Sequence, residues 1–595
     1  MAQLMDLFGR ANAAAFDRRG FQYFNRDVYD FFYPGYVDGW PAGQGALGMT
    51  YEQASARALT LERSDGDTLT YRDGVLHHFT AAITTAATAA RHRERILRDY
   101  LAFRRAGIES GREGPAEYVI HSAHDPALAE RLARMLVKNG VEVRSAAGPV
   151  RVDDRTLPAR GTFIVPLAQP ASAFARNLLD PHVPMAEDFV RRQIELRSQR
   201  RPDEIYDLTA WSQSLLWDVE AILAERPTGA AGAPLSSAPD TAPVALRPAV
   251  VGYLLPWGSA AAAAVAEALR EGVRVRAAGA AFTLGGRAFP VGTAIVRAAE
   301  NDADLAERLG RVAGRHGAEV VPIDGSYVEE GTSLGASSTR ALREPRVLLV
   351  YDSPTSTLSA GWARWVLERR YGQRTSAVRA GSLERVRLSD FDVIILPSGS
   401  YDDPIDEDML DRLRGWMDDG GTLITLAEAT RWAASEDVGL LATVAERRGG
   451  RTPDDDVPET DLIPPIDYLQ AIAPPDEAPE GVPGAILRVL LDTEHWLAAG
   501  TDGEIGALVE GTRVFRPITL DNGTNVGRYS PLEGMVLSGT VWADSRAQLA
   551  SKAFLVHQPE GEGQLIAFAE DPNYRAYSEA TELLFINAVL LGPGR

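Results

Sequence analysis

Glu52 is the residue in this chain best placed to act on a water molecule. It closes the run Gly48-Met49-Thr50-Tyr51-Glu52, which reads as a short apolar strand ending in a carboxylate. A glutamate at a strand end beside a cleft can accept a proton from water, and a bound metal ion would make that water more acidic. An aromatic loop precedes it, Phe31-Phe32-Tyr33-Pro34-Gly35-Tyr36-Val37-Asp38-Gly39-Trp40. Other candidate groups are weaker. Two His-x-x-Glu strings occur, His316-Gly317-Ala318-Glu319 and His557-Gln558-Pro559-Glu560. The first ends a helix at its glycine cap and the second spans a proline turn, so neither sets two ligands on one rigid element. His121-Ser122-Ala123-His124-Asp125 follows a strand and is a ligand cluster on paper. His77 and His78 are adjacent on a helix and so face different directions. Ser398 and Ser400 follow a core strand, but no Gly-x-Ser-x-Gly elbow surrounds them. All of these are read as structural or solvated groups, and no metal ligand is assigned.

The elements that must position these residues are predominantly α/β. At 595 residues the chain exceeds one core, and about 150 residues per domain gives about four domains. Its formal net charge of −21 opposes phosphate backbones and argues against nucleic acid as a partner. The absence of cysteine removes disulfides, thiol catalysis and cysteine-based zinc sites. Residues 1–110 read as helix, aromatic loop, strand, hairpin and long helix. The hairpin turns at Asp65-Gly66, and Leu76, Phe79, Ile83, Leu97 and Leu101 recur at helical spacing.

An internal repeat follows. Glu117-Tyr118-Val119-Ile120, a helix ending at Asn139-Gly140, Val141-Glu142-Val143 and Thr162-Phe163-Ile164-Val165 make one copy over 115–225. Val250-Val251-Gly252-Tyr253-Leu254, a helix ending at Glu271-Gly272, Val273-Arg274-Val275 and Thr293-Ala294-Ile295-Val296 make the second over 248–335. Each Val-x-Val is read as a strand parallel to the first strand of its unit. Pro256-Trp257-Gly258 stands where copy 1 has its histidines, so the repeat itself requires no metal there. Between the copies, 226–247 reads as a Pro/Ala/Gly/Ser linker. The longest uncharged run, Pro248 to Ala266, is broken by Gly252, Pro256 and Gly258 and reads as strand, turn and helix rather than a membrane span.

Residues 345–595 contain Val347-Leu348-Leu349-Val350-Tyr351, Val393-Ile394-Ile395-Leu396 and Thr422-Leu423-Ile424-Thr425-Leu426, strands alternating with helices. That spacing predicts a doubly wound parallel sheet. The acidic, proline-rich stretch 451–483 reads as a solvated insertion. Met1-Ala2-Gln3-Leu4-Met5-Asp6 opens an amphipathic stretch rather than a secretory signal.

The string from Phe31 to Ala54 resembles the C-terminal half of the active site in zinc carboxypeptidases of the carboxypeptidase A type. The resemblance implies that Glu52 is the general base and that Tyr33 or Tyr36 closes over the substrate, spacing favouring Tyr33. It implies zinc as cofactor, yet the family's His-x-x-Glu pair and later His lie upstream of that glutamate, and this chain has no histidine before His77. Residues 1–110 are therefore expected to be the C-terminal portion of a truncated carboxypeptidase-like catalytic domain, joined to an accessory tail. The segment 345–595 resembles the class I glutamine-amidotransferase-like fold without its nucleophilic cysteine. The function these resemblances imply is that of a metallocarboxypeptidase homologue, inactive as a fragment. Its full-length parent would take a peptide substrate and be exported to the periplasm or beyond. The alternative expectation is a non-catalytic binding or scaffolding protein made of α/β modules, with Trp211-Ser212 as an inter-domain contact.

Overall fold

The computed structural model describes residues 2–25, 32–452, 474 and 477–594. Phe31 of the aromatic loop and most of the acidic insertion, 453–473 and 475–476, lie outside the described residues. The protein is mixed α/β with several separate sheets.

The first hundred residues differ from expectation in two ways. Residues 46–56 form no strand, and Glu52 stands exposed on an irregular segment. The hairpin Thr60–Glu62 with Thr68–Thr70 forms as expected, Leu61 facing Leu69. Helix Tyr71–Glu113 then runs 43 residues, about 65 Å at 1.5 Å per residue. Thr70 and Asp73 close its start in a reciprocal capping box. Its apolar stripe points outward: Phe79 is 56% exposed, Ile83 54% and Leu97 66%. The buried face is made of small residues, Thr80, Ala81, Thr88, Gly107 and Gly111. Small side chains win there because the helix approaches other backbone closely. A Cβ on Gly111 would sit 2.0 Å from the backbone of Leu167.

The repeat is plain in three dimensions. Copy 1 is a five-stranded antiparallel sheet in the order Glu220–Ala224, Glu117–His121, Thr162–Pro166, Arg144–Ala146, Ala231–Pro234. Copy 2 repeats the order with Val321–Ile323, Gly252–Leu255, Ala294–Arg297, Arg276–Ala277, Arg340–Ala341. The triplets 141–143 and 273–275 form no strand; the strand of each unit begins just after, at Arg144 and Arg276, and runs parallel to the first with an antiparallel strand between them. Gly140 and Gly272 end the paired helices at φ 82° and 80°, a conformation suited to glycine. Part of the supposed linker is structural, since Ala231–Pro234 is the edge strand of copy 1. Asp125 ties the copies together. One oxygen caps its own helix at Leu128 N–H (3.2 Å), and the other accepts from Ser259 N–H and Oγ of copy 2, both at 2.7 Å.

The last segment holds one ten-stranded sheet. Its first five strands, Thr375–Arg379, Val347–Tyr351, Val393–Leu396, Thr422–Leu426 and Gly563–Phe568, are all parallel. The inner strands are buried on both faces, as their unbroken Val/Ile/Leu runs require. Ala553–Glu560, Thr524–Tyr529, Val482–Leu491 and Glu504–Gly511 continue the sheet antiparallel. Helix Glu579–Leu591 is buried along its whole length. Among the described residues no helix is long and apolar enough to cross a membrane.

Candidate functional site

Parallel strands deliver their following loops to one edge of the sheet, where α/β proteins bind ligands. Here those loops surround a cavity of about 240 Å³. Strand Val347–Tyr351 leads to Ser356 and Ser359 at the start of helix Thr357–Trp365. Strand Val393–Leu396 leads to Ser398, Thr422–Leu426 to Ala427, and Gly563–Phe568 to Glu570 and Asp571. The antiparallel half contributes Glu510 and Arg513.

This cavity is acidic. Glu570 is 3% exposed and ion-paired with Arg513, which also holds Glu428 at 3.0 Å. Burial, opposed by Arg513 and assisted by Glu510, pushes the Glu570 carboxyl up to about 7. Burial pushes Asp571 up to about 6 despite hydrogen bonds accepted from the Ser359 hydroxyl and the Asn573 N–H. Burial raises Glu510 as well, against Arg513 and a hydrogen bond with Tyr574. Trp362 and Tyr574 form an aromatic wall with ring centroids 4.8 Å apart.

Ala427 takes the sharpest turn at this edge, with φ 51° and ψ −110°. Such backbone is costly for any residue with a Cβ and is concentrated at ligand sites. Its methyl group brings no nucleophile. Ser398 borders the cavity and donates its N–H to Ser359 Oγ at 3.0 Å, while the exposed Ser400 bonds Asp402. Among the described residues no histidine lines the cavity.

A second, larger cleft of about 740 Å³ adjoins the first, with Arg575 in the wall of both. Tyr33 and Trp40 border it, so the aromatic loop does reach a cleft. Arg575 stands 4.8 Å over the Tyr33 ring and 5.0 Å over Tyr574. It pairs with Asp207, which also accepts the Tyr36 hydroxyl. Burial and that aspartate raise the Tyr36 phenol well above its ordinary value. Trp211 is buried against Phe32 and Tyr33 and donates to the Asn177 carbonyl. Glu52 borders neither cavity. Tyr33 and Tyr36 are thus grouped with Asp207 and Arg575, not with Glu52.

Among the described residues no histidine lines either cavity, and His495 Nε2 meets His557 Nδ1 at 3.0 Å. His77 meets Phe21 edge-on and bonds Gln53, and His316 pairs with Glu267 while Glu319 pairs with Arg287. His557 bonds Gln564, within strand Ala553–Glu560 rather than in a turn. Among the described residues, the group of three able to hold a metal ion is His124, Asp218 and Asp502, with ligand atoms within 4.8 Å of one another. Each ring nitrogen of His124 faces a different carboxylate, Asp218 at 3.0 Å and Asp502 at 3.8 Å, the geometry of an ion-paired imidazolium. Burial opposes that charge, yet the hydrogen bond and charge of Asp218 outweigh it and raise His124 above its ordinary value. Glu52 has no place in this group, so the residues present do not fit a zinc ion beside it.

No family model and no curated protein matches the chain. Among solved structures it is similar to a ThuA-like protein from Bacteroides uniformis, at 12% identity over 41% of this chain and 89% of that one, with a TM-score of 0.26. A ThuA-like protein from Parabacteroides merdae gives 12% identity, the same coverages and a TM-score of 0.28. A β-galactosidase from Bacillus circulans sp. alkalophilus gives 14% identity over 41% of this chain and 30% of that one, at 0.25. Scores this low carry no functional argument. Nothing found supports a zinc carboxypeptidase or proteolysis, and the structure itself corrects that resemblance. The physical reason is local. The aromatic string lacks the strand that would present Glu52, and the carboxylate stands exposed, away from both cavities.

Proposed function

We propose that this chain is a binding protein built of α/β units, and that its principal ligand is a small organic cation of the primary ammonium type. The site is the acidic cavity at the carboxyl ends of the parallel strands. One observation carries the reading: the acids there outnumber the bases free to neutralise them. Glu510, Glu570 and Asp571 border a space of about 240 Å³. Arg513 is divided between Glu428 and Glu570, and Arg575 is held by Asp207. Burial holds protons on Glu570 up to about pH 7 and on Asp571 up to about pH 6, and a cation that replaces those protons compensates the buried charge. The aromatic wall of Trp362 and Tyr574 adds a surface favourable to an ammonium group. The alanine at the strained turn favours binding over covalent catalysis. The finer description of 345–595 as a doubly wound, amidotransferase-like domain is supported by its five parallel strands, and without cysteine it has no thiol for that family's chemistry.

The test is a thermal-shift titration of the intact chain with 1,4-diaminobutane, with glycerol and acetate as controls. The diamine is expected to raise the melting temperature by about 2 °C or more at saturating concentration, and the controls to leave it unchanged. Equal shifts from glycerol, or none from the diamine at 10 mM (roughly a thousand times the protein concentration), would refute the reading.

A further inference from the structure

The larger cleft has the opposite character. Arg131, Arg134, Lys138, Arg370 and Arg575 border it against one carboxylate, Glu579. This concentration of positive charge stands on a chain whose formal net charge is −21. Part of it is neutralised internally. Arg134 is spent on Glu130 and on the carbonyls of Ser236 and Ala238. Arg575 is spent on Asp207. Arg131 and Arg370 share a single Glu579 oxygen, and Arg370 also reaches Glu582. Lys138, exposed at the end of helix Pro126–Lys138, has no ion-pair partner among the described residues.

The walls are aromatic. Trp40, Trp211, Trp217 and Trp365 all line the cleft. Trp40 and Trp211 have acceptors for their indole N–H groups, Asn139 and Asn177. Trp217 does not: it is 7% exposed and its Nε1 has no hydrogen-bond partner. That nitrogen is itself buried, and other atoms of the residue line the cleft. The Arg131 guanidinium lies 5.8 Å over the same indole ring, which sets a cation beside that donor.

We propose that this cleft is a second binding site, separate from the acidic cavity, for a small molecule with a planar aromatic body and an anionic head, carboxylate or phosphate. The head is neutralised by Arg131 and Lys138, and the body lies among the tryptophans. A cleft of about 740 Å³ suits such a molecule.

Isothermal titration of the intact chain with naphthalene-2-carboxylate, 2-naphthyl phosphate and neutral 2-naphthamide tests this. Either anion is expected to bind at least about tenfold more tightly than the amide, and the tighter of the two identifies the head group. Lys138→Glu, a surface change that leaves the fold intact, is expected to weaken the anion about tenfold and leave the amide unaffected. Equal affinity for anion and amide, no anion binding at all, or an affinity unmoved by Lys138→Glu would overturn the proposal.

Discussion

The two cavities meet at Arg575 and are lined by opposite charges. On the parallel-strand side, Glu510, Glu570 and Asp571 crowd around one divided arginine. On the other side, cations from helix Pro126–Lys138 and from Arg370 surround one glutamate. Arg575 can serve as a shared wall because Asp207 fixes it from behind while Tyr33 and Tyr574 flank it. It does so at φ 51°, next to Ala576 at the same angle, which is an uncommon conformation for non-glycine residues. The contrast teaches that net charge describes this chain poorly. An acidic protein can hold a cation site and an anion site side by side if each draws its charge from a different structural unit.

The largest way to break the contrast is to remove the divided base. Arg513→Met leaves the buried Glu570 without its cation, while Glu428 keeps Arg431 at 3.3 Å, and is expected to cost about 3–5 kcal/mol, seen as a lower denaturation midpoint. A change below about 1 kcal/mol would mean that the acids are not confined together.

Asp571→Asn gives a smaller effect whose sign depends on pH. The folded chain holds the Asp571 proton up to about pH 6, above the ordinary aspartate value. Its contribution is therefore complete at low pH and is lost as pH rises through about 6. Asparagine never ionises; its one carbonyl oxygen keeps the bond from Asn573 N–H, and its amide NH2 takes the place of the oxygen facing the Ser359 hydroxyl. Holding a proton one pH unit beyond the ordinary value corresponds to about 1.4 kcal/mol, so the variant is expected to be about 3 kcal/mol more stable than the parent at pH 8. It is expected to be no more stable at pH 4. Melting temperatures across that range check this, and parallel curves would refute it.

The smallest effect tests the rim. Ala427→Gly releases an alanine from φ 51° and is expected to stabilise by about 1 kcal/mol, read from the melting temperature. Destabilisation would show that the methyl group packs better than the strain costs.

Much of the fold was legible in the residues. Asp65-Gly66 marked the hairpin, and the paired motifs around Gly140 and Gly272 marked two copies that share a strand order. Unbroken apolar runs at 347–351, 393–396 and 422–426 marked the buried parallel strands. The long helix was legible but its buried face was not, because close backbone approach selected threonine, alanine and glycine over the larger apolar stripe.

The candidate site was mostly hidden. Ser359, Glu510, Arg513, Glu570 and Asp571 are scattered over more than two hundred positions and meet only once the sheet is assembled. One local signal was present: two adjacent acids immediately after the apolar run Leu565-Ile566-Ala567-Phe568-Ala569. The aromatic string drew attention to its own carboxylate, whereas in the fold its tyrosines join Asp207 and Arg575, far along the chain. Long-range partners of that kind leave no periodicity or spacing to read.

The most direct measurement is the affinity of the intact protein for 1,4-diaminobutane by calorimetry at pH 5.5 and pH 8, in the parent and in Asp571→Asn. Ionised acids bind the cation and protonated ones do not, so the parent is expected to bind about tenfold more tightly at pH 8. Asp571→Asn is expected to weaken that binding and flatten its pH dependence. An affinity that is the same at both pH values and in both proteins would contradict the acidic cavity as the ligand site.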